Sequence, residues 1–261
     1  MKSIGASKRL HADFGSGTWE GAPLGIPVTP VKPGTSKTSV SFDYAEESDR
    51  GPYRIPARAR IEGGPEATGD RHVIALDSST CTVYELYDAH RSGNGWRAGS
   101  GAVFNLKSNV LRPAGWTSAD AAGLPVFPGL ANYDEVASGA INHALRITVP
   151  RSQQAHVWPA RHHASASSDK NLPPMGLRLR LKSSVDTSKF GPQARVIAQA
   201  LRTYGAIVAD NGSAWHVSGM QDDRWNNSVL HQLGSLSGSD FEAVDVSGLQ
   251  KSANSGAARQ P

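Results

Sequence analysis

The sequence predicts a single all-β domain, a β-sandwich or jelly-roll-like body with long Gly/Pro loops and one or two short helices. Three observations predict it. Alternation of apolar and polar residues dominates the middle of the chain, and only one good stretch recurs at helical spacing. In addition, 27 glycines and 16 prolines are spread through 261 residues, about one residue in six and above the usual share. The length suffices for a core without covalent staples. The single cysteine, Cys81, excludes a disulfide scaffold and a thiolate-rich metal site. No run reaches the ~18 apolar residues of a membrane span, so none is expected.

The elements follow in order. Residues 1–17 carry Lys2, Lys8 and Arg9 but no apolar stretch, so they do not read as a signal peptide. With the Pro/Gly/Thr/Ser-rich stretch that follows, residues 1–37 read as a flexible N-terminal arm. Residues 38–246 then form the β-sandwich domain, and the small, polar residues 247–261 a disordered tail. Within the body, strands are expected over 39–44, 71–77, 80–88 and 101–106, with Gly93-Asn94-Gly95 marking a turn. Residues 141–149 alternate, placing His143 with Ile141, Leu145 and Ile147 on one side and Arg146 on the other. Residues 177–182 alternate most sharply: Leu177, Leu179 and Leu181 face in, whereas Arg178, Arg180 and Lys182 form a solvated outer face. A hairpin is expected from 206–209 through Asn211-Gly212 to 215–218, and 241–246 closes the set. The helix is 193–204, opened by Gly191-Pro192 and closed by Gly205. A short helical turn at 118–122, capped by Thr117 or Ser118, is the second.

Charge adds little. Lysine and arginine number 27 against 23 acidic residues, a net +4, too small and too spread out to predict a nucleic-acid partner. Neither a phosphate-cradling loop, nor a dinucleotide fingerprint, nor a nucleophile elbow is present.

Four blocks carry a resemblance: GWTSADAAGLP (115–125), PARH (159–162), PPMGLRLRLK (173–182) and ADNGS (209–213). In this order, over roughly 49–245, they resemble a group of mostly exported, uncharacterised bacterial proteins. The resemblance implies a single exported domain, secreted or periplasmic, and assigns no catalytic residue.

The candidate chemistry comes from the residues themselves. Glu85 shares a strand face with Val83 and Tyr87, and partial desolvation there would raise its pKa towards neutrality, as a glycosidase acid requires. Asp120 sits in a loop beside Ser118; its structural alternative is to cap or organise that loop. These two form the expected carboxylate pair, with Asp210 or Asp88 as substitutes. His143 and His162 are candidates for acid/base work, and His72 lies on a face comparable to that of His143. Trp116, Tyr87 and Trp96 would stack on sugar. Arg146 and Arg161 would grip an acidic group, and Asp210 would contribute to binding. The leading reading is an exported carbohydrate-active enzyme, a glycoside hydrolase acting on a poly- or oligosaccharide without a cofactor. The alternatives are a non-catalytic carbohydrate- or surface-binding module, and a polysaccharide lyase using His and Arg. A divalent metal among His156, His162 and His163 would need a ligand spacing that matches no established motif. The oligomeric state is not legible in the sequence.

Overall fold

The computed structural model describes residues 2–259 and forms an all-β, sandwich-like fold with few short helices. Its strands are β1 (His11–Asp13), β2 (Thr18–Trp19), β3 (Ala22–Pro23), β4 (Val28–Pro30) and β5 (Val40–Phe42). They continue as β6 (Val73–Asp77), β7 (Thr82–Tyr87), β8 (His90–Ser92), β9 (Gly95–Ala98) and β10 (Ser100–Asn105). The set ends with β11 (Leu145–Val149), β12 (Arg178–Leu181), β13 (Ala206–Asn211), β14 (His216–Ser218) and β15 (Phe241–Val244). Three α-helices are present among the described residues: α1 (Tyr133–Ser138), α2 (Pro192–Thr203) and α3 (Asn227–Leu230). None is long and apolar enough to cross a membrane.

The largest sheet is mixed, in the order β1-β14-β11-β13-β12-β15. One face buries Leu145, Ile147, Val208, Leu179 and Val217 under α2, whose Ala194, Ile197, Ala198 and Leu201 are buried against it. A second sheet, β10-β7-β6-β4, is covered on both faces. Its Val73, Ala75, Tyr84 and Leu86 pack with Tyr53, Trp96 and Ala98 around a third sheet, β5-β9-β8. Its Ile74 and Val83 turn the other way, onto Ala119, Val126 and Leu130. The segment 117–131 thereby fills the space between the two larger sheets. The near-continuous apolar run of β6, Val73 to Leu76, and the apolar residues on both faces of β7 are what a sheet buried on both sides demands.

Most sequence expectations fall where predicted, and the departures have physical causes. β11 covers only the second half of 141–149, because Gly139, at φ 97, closes α1 and sends 140–144 through a turn. The expected 206–218 hairpin does not form: β11 inserts between β13 and β14, pairing parallel to the first and antiparallel to the second. At 118–122 the chain makes no helix, because the Ser118 hydroxyl accepts from Asp120 N (2.9 Å) and donates to Leu124 O (2.5 Å), bonds that compete with a helical ladder. The helix instead starts later, where Asn132 caps Asp134 N at 2.9 Å.

The chain ends are corrected too. Of the expected arm, β1 pairs with β14, and Leu10 and Phe14 are buried in the main core. Along the expected tail, Val110 bridges to Ser255, and Trp158 Nε1 donates to Ser255 O at 2.8 Å. Apolar anchors and side-chain donors elsewhere in the fold hold both segments, which local composition could not reveal. Met1, Gln260 and Pro261 lie outside the described residues.

Candidate functional site

A polar seam runs between the two larger sheets. From β7, Glu85 projects on the side of Ile74, its cross-strand partner. Ahead of β6 stands His72, and the intervening segment supplies Asp120. The main sheet contributes Arg146 from β11, Asp210 from β13 and Ser218 from β14. Asp210 reaches this face through a register shift between Ile147 and Thr148, which sets Thr148 opposite Asp210. Strict alternation would have sent Asp210 to the opposite face with Val208; the bulge re-aims it.

Arg146 organises the seam. Its Nε donates to Asp120 Oδ2 (3.1 Å), Nη2 to Asp210 Oδ2 (3.0 Å) and Nη1 to Ser218 Oγ (2.8 Å). Asp120 also accepts from Ala122 N through Oδ1, at 3.3 Å. The Asp120 side chain is 1% exposed and that of Asp210 18%. Burial raises both carboxyls above the ordinary range against the pull of Arg146, and Asp210 is pushed up to about 6. Two acids on one guanidinium cannot both be fully stabilised by it when water is excluded.

The rest of the seam is equally committed. Both oxygens of Glu85 accept backbone N–H groups, Oε2 from Val126 and Oε1 from Phe127, each at 2.8 Å. Complete burial outweighs these bonds and raises Glu85 to about 7. Burial works against charge on His72, but Glu62, 2.5 Å from its Nδ1, outweighs it and raises the ring to about 9. The Nε2 of that ring donates to Ala119 O at 2.9 Å. Tyr87 borders the seam, its ring centroid 6.2 Å from that of His72.

Beside the seam opens a cleft of about 800 Å³, walled by Asp120, Arg146, His143, Arg178, Phe104 and Trp158 among others. It is mainly apolar with a few polar groups, the usual composition of a ligand site.

Of the residues expected to act together, the structure thus joins Glu85, Asp120, Arg146 and Asp210, with Tyr87 at their border. It does not join the others. Glu85 is fully buried and ties down the 117–131 segment, so the expected Glu85–Asp120 pair is not available to a ligand; of the seam's carboxyls Asp120 reaches the cleft wall, whereas Asp210, 18% exposed, adjoins it through Arg146. His143 sits at the cleft wall with Nε2 3.2 Å from Glu135 of α1. His162 accepts no role in the seam: its Nδ1 lies 2.8 Å from Ala121 O, and its ring stacks on His163. Trp96 is buried in the core beneath Arg91 and cannot face a sugar. Trp116 is half-buried, with Arg112 lying 5.4 Å from its ring centre. Arg161 spends its donors on Arg112 O, Ala253 O and Asn254 Oδ1, holding the C-terminal segment rather than a ligand. Asp88 pairs with His90 at 2.8 Å. The rings of His156, His163 and His162 stack nearly parallel, at 12° and 14°, so their nitrogens do not converge. Among the described residues, no three His, Cys, Asp or Glu side chains are grouped to hold a metal ion.

Glu62, Ser218 and Arg178 were not singled out as site residues by the sequence. None of the three carries a local signal: Ser218 ends the short polar strand His216–Ser218, and Arg178 alternates like its neighbour Arg180. No family model matches the chain, and neither a curated protein nor a solved structure matches it.

Proposed function

We propose that the protein is a carbohydrate-active hydrolase that cleaves a glycosidic bond where the cleft meets the seam, with Asp210 and Asp120 as its carboxyl pair. One observation carries the reading: both acids bond to neighbouring nitrogens of Arg146, and Asp120 forms part of the cleft wall. Acids so closely set suit the retaining geometry, in which carboxyls about 5 Å apart act as acid and nucleophile. Asp210, protonated up to about pH 6, donates its proton to the leaving glycosidic oxygen. The Asp120 carboxylate attacks the anomeric carbon, and water then releases the sugar with the proton returned to Asp210. Arg146 orients both acids and favours their ionised forms, whereas burial and the repulsion from Asp120 hold the proton on Asp210.

The resemblance of the four sequence blocks to exported proteins supports a secreted or periplasmic location as part of the same reading. A second reading, a non-catalytic carbohydrate-binding module, is favoured by the near-complete burial of the Asp120 side chain. A screen of the purified protein on a polysaccharide panel, with and without chelator, separates them. New reducing ends that vanish in Asp120→Asn and in Asp210→Asn support the hydrolase. Retention on one polysaccharide without turnover supports the binding module and overturns the hydrolase.

A further inference from the structure

Three arginines line the cleft, and they differ in what neutralises them. Arg112 Nη1 is 2.6 Å from Asp49 Oδ2, and Arg146 is held by Asp120 and Asp210. The two aspartates of the cleft wall, Asp49 and Asp120, are therefore already committed. Arg178 has no carboxylate partner among the described residues. Its Nη1 donates to Tyr204 O at the end of α2, where a cation also suits the helix dipole. Its Nε is buried without a hydrogen-bond partner and closed to a ligand, and among the described residues no bond is made by Nη2. Nη2 is therefore the donor left for a ligand in the cleft, and a carboxylate meets it with a charge-assisted bond.

The register explains the placement. Ile207 of β13 pairs with Arg146 on one side and with Arg178 on the other. The two arginines thus share a sheet face two strands apart, about 10 Å between backbones. On the far side, Arg178 pairs with Val244, which offers no charge, whereas the next outward-facing arginine, Arg180, pairs with Glu242. Burial alone, with no neighbouring charge, disfavours the cation on Arg178.

We propose that Arg178 is the anion-binding subsite of the cleft and that the ligand is an acidic saccharide, its carboxylate on Nη2. The sugar ring then lies towards the seam, over the wall formed by Ile207. The identity of the ligand as a saccharide rests on the hydrolase or binding reading above; the carboxylate does not.

The test is calorimetric titration of the full chain with a galacturonate tetramer and with its methyl ester, which keeps the shape and removes the charge. The acid should bind roughly 10- to 100-fold more tightly than the ester, the worth of a charged hydrogen-bonded contact. Arg178→Gln should reduce the acid to the level of the ester. Val244→Glu should do the same by placing a carboxylate opposite Arg178, and it leaves the bond to Tyr204 intact should the first variant fold poorly. Equal binding of acid and ester, no binding of either, or full acid binding by Val244→Glu overturns the proposal. Tight acid binding without any turnover would sink the hydrolase and leave the subsite standing.

Discussion

Glu85→Gln should change stability by an amount that depends on pH, and the structure sets both terms. Burial raises Glu85 from 4.5 to about 7 in the folded protein. Between those values the native state binds more protons than the unfolded one, so stability falls as pH rises through this window. The total is about 3 kcal/mol, at ~1.4 kcal/mol per pH unit. Glutamine carries no such titration. Its carbonyl can accept one of the two N–H groups of Val126 and Phe127, but its amide faces the other, leaving a buried donor unmade at about 1–3 kcal/mol. At pH 5, where native Glu85 is neutral, the variant should be less stable by about that amount. By pH 8 the wild type has lost its ~3 kcal/mol and the two proteins should be nearly equal. Urea unfolding of both at pH 5, 6.5 and 8, at constant ionic strength, measures the difference. A gap that stays constant from pH 5 to pH 8 would refute the claim that Glu85 holds its proton near neutrality.

Two further outcomes are expected. Arg146→Met should strand Asp120 and Asp210 and cost about 3–5 kcal/mol in urea unfolding at pH 7.5; the loss should shrink at pH 4.5, where both carboxyls can take up protons. Ending the chain at Leu249 removes the acceptors used by Arg161 and Trp158, and should lower stability by about 1–3 kcal/mol after the freed chain entropy is set against the lost bonds.

How far the sequence reveals this molecule depends on the range of the interaction involved. Strands β6, β7, β10 and β12, and helix α2, follow from alternation and helical spacing, because each element's own residues decide its buried face. The pairing of β11 between β13 and β14 does not, since Asn211-Gly212 gives a good hairpin signal and only the wider sheet overrides it. The seam is legible in part: Glu85, Asp120, Arg146 and Asp210 stand out as polar residues in apolar or loop-forming surroundings. Their grouping is not legible, because it depends on the bulge at Thr148 and on a segment folded between two sheets. Asp210 looked like a hairpin residue, and Arg178 like part of a solvated face. Its neighbour Arg180 is indeed exposed, and one strand's alternation cannot show that a cleft opens over only its first arginine. Trp96 is the converse case, an aromatic after a turn that reads as a platform but fills a core assembled from three separate segments.

The central claim is that Asp120 and Asp210, buried on one guanidinium, keep one proton on the pair up to about pH 6. Carboxyl carbon NMR across pH 3–9 on aspartate-labelled protein tests it directly. The pair should titrate as a unit, with one apparent step near 6 that disappears in Asp210→Asn. Two aspartates fully ionised above pH 4.5, with no step near 6, would contradict the account and leave the pair without its acid.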